Sequence, residues 1–175
     1  MRIPFIEIIG KKPLHPNHQT METTHQLANR FREVLLDGQW IANTNLRDQL
    51  ADLSWTEATK KIGTLNTIAA LSFHLNYYIA GVLQVLEGGA LDIRDKYSFD
   101  LPPIESAEDW DKLLSTLWTN TENFATQVEM MSNEQLDGAF VDPKYGTYRR
   151  NIEGMIEHCY YHLGQIALLK KMIKV

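Results

Sequence analysis

Apolar residues recur along most of the chain at the three- and four-residue spacing of helices that bury one face. This spacing predicts four long helices, at residues 20–36, 64–87, 106–131 and 151–173. The third carries one apolar seam of the kind that packs on other helices, formed by Trp110, Leu113, Leu117, Phe124, Val128 and Met131. No alternation with a period of two is long enough to predict a β-strand. The sequence therefore predicts an all-α protein.

Residues that cap or interrupt helices mark several boundaries. Gly88-Gly89 follows the second helix, and Ser106 precedes the third as a favourable N-cap. Residues 45–61 are predicted to form short helical turns, because Ser54 and Glu57 have the spacing of a capping box.

The connections contain most of the prolines and predict less regular structure. Residues 90–105 and 132–146 are expected to be irregular, as is an N-terminal arm at residues 1–19. Residues 20–175 then form one domain. Four long amphipathic helices joined in this way predict a four-helix bundle, and bundles build metal sites from side chains on facing helices.

Composition narrows the class of function. The chain has 175 residues, enough for a substantial core, and a net charge of −5 that argues against a nucleic-acid partner. Its single cysteine, Cys159, cannot form an internal disulfide, so we expect a reducing, cytoplasmic setting. The pattern favours Cys159 as a small buried side chain over a nucleophile.

Residues 62–86 contain no acidic or basic side chain, which raises the question of a membrane span. Asn66, Ser72, His74 and Gln84 interrupt the apolar run and argue against one. A helix buried in a bundle or at a subunit interface explains the composition better. We therefore predict no membrane partner.

The strongest candidate for chemistry is a pair of histidines in the last helix. His158 and His162 are four residues apart, so their side chains lie one turn apart on the same face. With His74 from the second helix, they could hold one metal ion and leave a coordination position free. The alternative is that they are boundary histidines, hydrogen-bonded to their neighbours.

Three further residues are candidates for binding substrate. Tyr78 stands four residues after His74, and Gln165 stands three after His162. Arg149, with its neighbour Arg150, precedes the last predicted helix. Tyr78 could line a cavity, Gln165 could hydrogen-bond a ligand, and Arg149 could hold a carboxylate. The alternatives are core packing for the tyrosine and ordinary solvent exposure for the other two.

Three segments together resemble the DinB-like superfamily of damage-inducible helical bundles: Leu-Leu-Asp-Gly at 35–38, Leu-Ser-Phe-His at 71–74, and Glu-His-Cys-Tyr-Tyr-His-Leu-Gly-Gln at 157–165. The resemblance covers roughly residues 20–172. It implies a four-helix bundle in which His74, His158 and His162 hold a divalent metal, often zinc or nickel. It also implies a homodimer. Relatives with known activity include thiol transferases that use bacillithiol and a mycothiol-dependent maleylpyruvate isomerase.

Three functions remain open at this point. The first is metal-dependent S-transfer from a low-molecular-weight thiol to a small electrophile, since a thiol at such an ion loses its proton. The second is metal-dependent hydrolysis of a small amide or ester, since water there is acidified towards a pKa of ~7. The third is a non-catalytic dimeric bundle that binds a metal or a ligand.

Overall fold

The computed structural model describes residues 22–174, so the predicted arm at 1–19 lies outside the described residues. These described residues form seven α-helices: α1 (Thr24–Arg32), α2 (Leu46–Leu50), α3 (Trp55–Ala58), α4 (Ile68–Leu86), α5 (Ala107–Met130), α6 (Asn133–Asp137) and α7 (Tyr148–Ile173). A π-helical turn, Glu33–Asp37, continues α1, and 3-10 turns occur at Asp95–Tyr97 and Pro143–Tyr145. Between residues 22 and 174 there is no β-strand, only an isolated bridge between Ala139 and Thr147. The all-α prediction is confirmed.

The long helices follow the predicted pattern, but three of them start at other residues. The first was expected from residue 20, but α1 begins at Thr24, because the Thr23 side chain caps it by accepting from the Gln26 N–H. The second was expected from residue 64, but α4 begins at Ile68, because the Thr67 side chain caps it by accepting from the Ala70 N–H. The last was expected from residue 151, but α7 begins at Tyr148, because Thr147 caps it by accepting from Arg150. The capping box of Ser54 and Glu57 begins the predicted short turn α3.

The segment 132–146 is less irregular than predicted. Ser132 and Gln135 form a reciprocal capping box that begins the short helix α6. The expectation of an irregular connection was therefore wrong for residues 133–137, where the Ser-x-x-Gln spacing carries the helix signal.

The long helices pack around a common core. Helix α5 contacts both α1 and α4, and α7 also contacts α1 and α4. Phe31 of α1 packs on Phe124 of α5 with 4.3 Å between ring centroids, and both are fully buried. The buried Trp110 indole N–H donates to the Leu53 carbonyl at 3.1 Å, which ties the short helical region to α5.

Helix α4 is the most apolar of these helices. It is the one helix among the described residues long and apolar enough to cross a membrane. Of its most apolar stretch of 18 residues, however, 61% is buried inside the protein. This is consistent with the central helix of a soluble protein. Val82, on this charge-free helix, is 7% exposed. Core packing thus accounts for much of the apolar sequence of α4.

The connection between α4 and α5 lies along α4 and forms one side of the site. The Tyr77 hydroxyl accepts from the Arg94 N–H at 2.8 Å and donates to the Arg94 carbonyl at 3.0 Å. Gly81 faces the Ile93 side chain so closely that a Cβ atom at position 81 would overlap it. These contacts set the position of the 3-10 turn that follows, Asp95–Tyr97, and of Ser98 and Phe99.

Candidate metal centre

Three histidines from two helices meet at one point. His74 belongs to α4, and His158 and His162 belong to successive turns of α7. His158 Nε2 lies 3.1 Å from His74 Nε2 and 2.8 Å from His162 Nε2. One nitrogen from each ring falls within 4.8 Å of the others, as metal binding requires. The three side chains are called the histidine triad below.

The outward-facing nitrogens of two rings are held by acceptors. His74 Nδ1 lies 3.3 Å from the Ser98 carbonyl oxygen, and His162 Nδ1 lies 2.7 Å from Gln165 Oε1. Because a carbonyl oxygen only accepts, each Nδ1 carries the proton and donates it. The lone pair of each Nε2 therefore points into the triad, in the arrangement that orients a histidine ligand.

Burial keeps the triad uncharged. His74 and His162 are each 6% exposed, and His158 is partly buried. Desolvation, followed by the two neighbouring imidazoles, lowers the pKa of His158 to about 4. Desolvation also lowers the pKa of His74 and of His162 below the usual value. At neutral pH all three rings are neutral, which is the form that binds a metal.

The donor set fits a divalent transition metal. His74 and His162 carry no proton on Nε2. If His158 Nε2 carries a proton, it can form a linear hydrogen bond with only one of these two nitrogens, and the other close contact then joins two nitrogens without a shared proton. A cation among the three nitrogens would remove the remaining repulsion between lone pairs. Imidazole nitrogens about 2.1 Å from one tetrahedral zinc stand ~3.4 Å apart, close to the separations found here. Imidazole ligands also suit nickel, copper and iron.

Aromatic rings enclose the triad. Phe99 stacks on the His74 ring, with 4.1 Å between centroids and 13° between planes. Tyr78 stands edge-on to His74 and His158, at centroid distances of 5.0 and 5.3 Å. Its hydroxyl donates to Asp95 Oδ1 at 2.7 Å, which places a carboxylate beside the triad.

Two cavities open onto the triad and share only His74 and His158 in their linings. The first, of about 720 Å³, contains Asp95 and Arg150 in its wall and is called the charged cavity. The second, of about 630 Å³, is lined mainly by apolar side chains together with His162, Gln165, Thr64 and Asn66. It contains no Asp, Glu, Lys or Arg and is called the uncharged cavity. Both volumes are in the range of small-molecule sites.

The structure brings two of the three predicted substrate-binding residues to the triad. Tyr78 lines the charged cavity, and Gln165 lines the uncharged cavity while holding His162. Arg149 lines neither cavity. It is 7% exposed, pairs with Asp137 at 2.6 Å and donates to the Glu22 carbonyl. Arg149 therefore joins α7 to α6 and to the start of the described chain, and its neighbour Arg150 lines the charged cavity instead.

Sequence reasoning missed Asp95, Ser98 and Phe99, the residues of the α4–α5 connection that contact the site. They approach His74 from 21 to 25 positions away in a segment without helical periodicity, and no motif marks them. Ser98 acts on His74 through its backbone carbonyl, which any residue possesses. Its own hydroxyl is buried with no hydrogen-bond partner among the described residues.

Cys159 lies between the two histidines of α7 in sequence but not in the site. Its side chain is 1% exposed, and burial raises the pKa of its thiol far above the usual range. It packs in the core as the sequence indicated and cannot supply a thiolate at neutral pH.

Comparison of the chain with protein-family models, with curated proteins and with solved structures finds no match.

Proposed function

We propose that the protein is a divalent-metal-dependent enzyme in which His74, His158 and His162 hold the ion. The observation that carries this proposal is the convergence of three Nε2 atoms, two of them fixed in the binding tautomer by Ser98 and Gln165. Zinc or nickel is the proposed metal, since both accept an all-imidazole ligand set.

We further propose a DinB-like four-helix bundle formed by α1, α4, α5 and α7. The mutual packing of α4 on α5 and α7, and of α1 on the same two helices, supports it. The position of the ligands on two contacting helices, α4 and α7, supports it as well. A cytoplasmic homodimer belongs to the same proposal, on the grounds of the family resemblance and the single cysteine.

The proposed reaction is S-transfer from a low-molecular-weight thiol to a small electrophile. A divalent ion in the triad would supply a positive charge that lowers the pKa of a thiol or of water. The thiol must come from a co-substrate, because the protein's own Cys159 is buried and protonated. The sulfur of the co-substrate forms a bond to the electrophilic carbon, and the leaving group departs with its electron pair. The proton of the co-substrate thiol passes to a base.

We propose that Asp95 accepts that proton and that Tyr78 holds the Asp95 carboxylate in position. The Asp95 carboxylate lies in the wall of the charged cavity and accepts the Tyr78 hydroxyl at 2.7 Å. Burial and this hydrogen bond raise the pKa of Tyr78 to about 12, so the phenol stays protonated at neutral pH. Asp95 is thus the proposed proton acceptor, and Tyr78 is the proposed positioning residue that orients it.

Metal-dependent hydrolysis of a small amide or ester is the second candidate. The same carboxylate supports it, because Asp95 could also accept a proton from a water molecule that the ion acidifies. A product that contains oxygen from water and forms without any added thiol would identify this reaction.

The first test of the proposal is the metal content of tag-free protein purified without chelator. Elemental analysis should find near-stoichiometric zinc, nickel or another transition metal in the parent. The metal should be lost in the His158→Ala/His162→Ala double variant and retained in His25→Ala, which removes an exposed histidine outside the triad. No metal in the parent, even after incubation with zinc and nickel, would contradict the metalloenzyme assignment.

The reaction is tested on the metal-loaded protein. Bacillithiol, glutathione and cysteine are each supplied with a panel of small electrophiles, and the loss of free thiol is measured. We expect consumption of at least one thiol, abolished in Asp95→Ala with metal content unchanged. Consumption of no thiol by a fully loaded protein would rule out the transferase assignment within that panel.

A further inference from the structure

The two cavities at the triad differ in chemistry although they meet at the same histidines. The charged cavity presents a carboxylate from Asp95 and a guanidinium from Arg150. The uncharged cavity presents only neutral side chains, and four leucines lie among them: Leu65, Leu71, Leu168 and Leu169. A charged ligand would lose hydration in the uncharged cavity without gaining an opposite charge from any side chain that lines it. The two cavities therefore favour ligands of different kinds.

The mouth of the uncharged cavity carries large apolar side chains beside the exposed polar residues Thr64 and Asn66. Four large side chains that line it are exposed: Leu65 by 47%, Phe99 by 43%, Tyr161 by 63% and Leu168 by 59%. They come from three separate segments, namely the residues before α4, the α4–α5 connection and α7. Apolar side chains grouped around a cavity are typical of a binding site, whereas single exposed ones are ordinary.

Gln165 adds a polar group beside the triad in this largely apolar site, to which Thr64 and Asn66 also contribute polar side chains. Its Oε1 accepts from His162 at 2.7 Å, and its Nε2–H groups have no acceptor among the described residues. A ligand atom that accepts a hydrogen bond could pair with them. A largely apolar cavity with a directed donor beside the triad is the usual composition of a small-molecule site.

We infer that the histidine triad serves two ligands at once, an uncharged and largely apolar one in the uncharged cavity and a charged co-substrate in the charged cavity. The apolar ligand is an aromatic or aliphatic molecule with a hydrogen-bond acceptor directed at Gln165. That this ligand is the electrophile of thiol transfer rests on the proposed function. That it binds beside the triad rests on the cavity alone and is independent of the proposed function.

The inference is tested by equilibrium binding of N-phenyl-1-naphthylamine, an uncharged aromatic fluorophore whose emission rises in apolar surroundings. The full-length protein is titrated in metal-free and zinc-loaded forms. Leu168→Glu places a charge at the mouth of the uncharged cavity, on a position exposed enough to keep that charge hydrated. Met130→Glu is the matched control, because Met130 is 73% exposed and lines neither cavity.

The parent should bind the fluorophore, and Leu168→Glu should weaken the binding at least tenfold. Met130→Glu should leave it unchanged, as should Arg150→Gln in the charged cavity. Leu65→Glu repeats the test from a different segment if Leu168→Glu fails to fold by circular dichroism. Absence of binding to the parent, or equal weakening by Met130→Glu, would overturn the inference.

The fluorophore experiment and the metal analysis test the two proposals separately. Bound metal without fluorophore binding would overturn the two-ligand inference and leave the metalloenzyme proposal standing. Fluorophore binding that responds to Leu168→Glu in a protein that takes up no metal would support the apolar site and contradict the metal assignment alone.

Discussion

His74 and His162 have the same role in the triad but are held by different kinds of partner. The Nδ1–H of His162 donates to Gln165, three residues further along the same helix. The Nδ1–H of His74 donates to the backbone carbonyl of Ser98, 24 residues away on a connection between helices. One anchor is a side chain fixed by helical geometry, and the other is main chain fixed by the packing of a whole segment.

The two anchors should respond differently to mutation. A substitution at position 165 removes the acceptor itself, whereas a substitution at position 98 leaves the carbonyl oxygen where the segment holds it. The side chain of Ser98 is thus dispensable for the contact that Ser98 makes. This contrast leads to three predictions, ordered by the size of the expected effect.

The largest effect should follow loss of the helical anchor. Gln165→Ala should weaken zinc binding by about 10- to 100-fold, because the His162 ring loses the partner that fixes its tautomer and orientation. Gln165→Glu keeps an acceptor and should bind zinc at least as tightly as the parent. Competition with a chromophoric chelator measures both affinities, with Gln84→Ala on the exposed surface of α4 as the control. Equal affinity in Gln165→Ala and the parent would show that the anchor is not needed.

An intermediate effect is expected from acid, through His158 between the two anchored rings. Its pKa is about 4 in the folded protein against 6.5 ordinarily, so the unfolded chain binds the proton more readily. The metal-free protein should therefore lose stability as the pH falls from about 6.5 towards about 4. Urea denaturation at several pH values measures this, and His158→Ala should flatten the dependence. A dependence that is equally steep in His158→Ala would contradict the assignment.

The smallest effect should come from Ser98→Ala. The variant keeps the carbonyl that anchors His74, so zinc affinity should match that of the parent. It also removes a buried hydroxyl that has no partner among the described residues, so the free energy of unfolding should rise by about 1 kcal/mol. A loss of zinc affinity as large as that of Gln165→Ala would mean that the hydroxyl, not the carbonyl, supports His74.

Much of the helical structure could be predicted from the sequence, because the three- and four-residue spacing of apolar residues within a helix shows which of its faces is buried. The apolar seam of α5 predicted its extent to within one residue at each end. The starts of α4 and α7 were less certain, since each depends on which threonine accepts an N–H group of the first turn. Thr67 and Thr147 have that role in the structure. Threonine is common elsewhere in the chain, so the residue type alone does not identify a cap.

The candidate site was predictable where its geometry is helical. The four-residue spacing of His158 and His162, and of His74 and Tyr78, places each pair on one helix face. Arg149 and Arg150 could not be told apart in the same way, because the prediction left both outside the helix. In the structure both lie in the first turn of α7, where adjacent residues point in different directions. The Asp95–Phe99 segment was beyond prediction, because its place depends on tertiary contacts with α4.

Because Gly81 has no side chain, a substitution at this position would change the triad although Gly81 does not contact it. Ile93 occupies the space where a Cβ atom would stand, and the chain from Ile93 runs on within a few residues to Asp95 and Ser98. A methyl group at position 81 would displace Ile93 outward, and the carboxylate and carbonyl that follow it would move with it. The electronic environment of His74 is therefore sensitive to steric bulk two helical turns away, at a residue that contacts neither the imidazole nor any ligand. A loss of the proposed metal binding through this glycine would resemble a defect in the triad, although every triad residue would be intact.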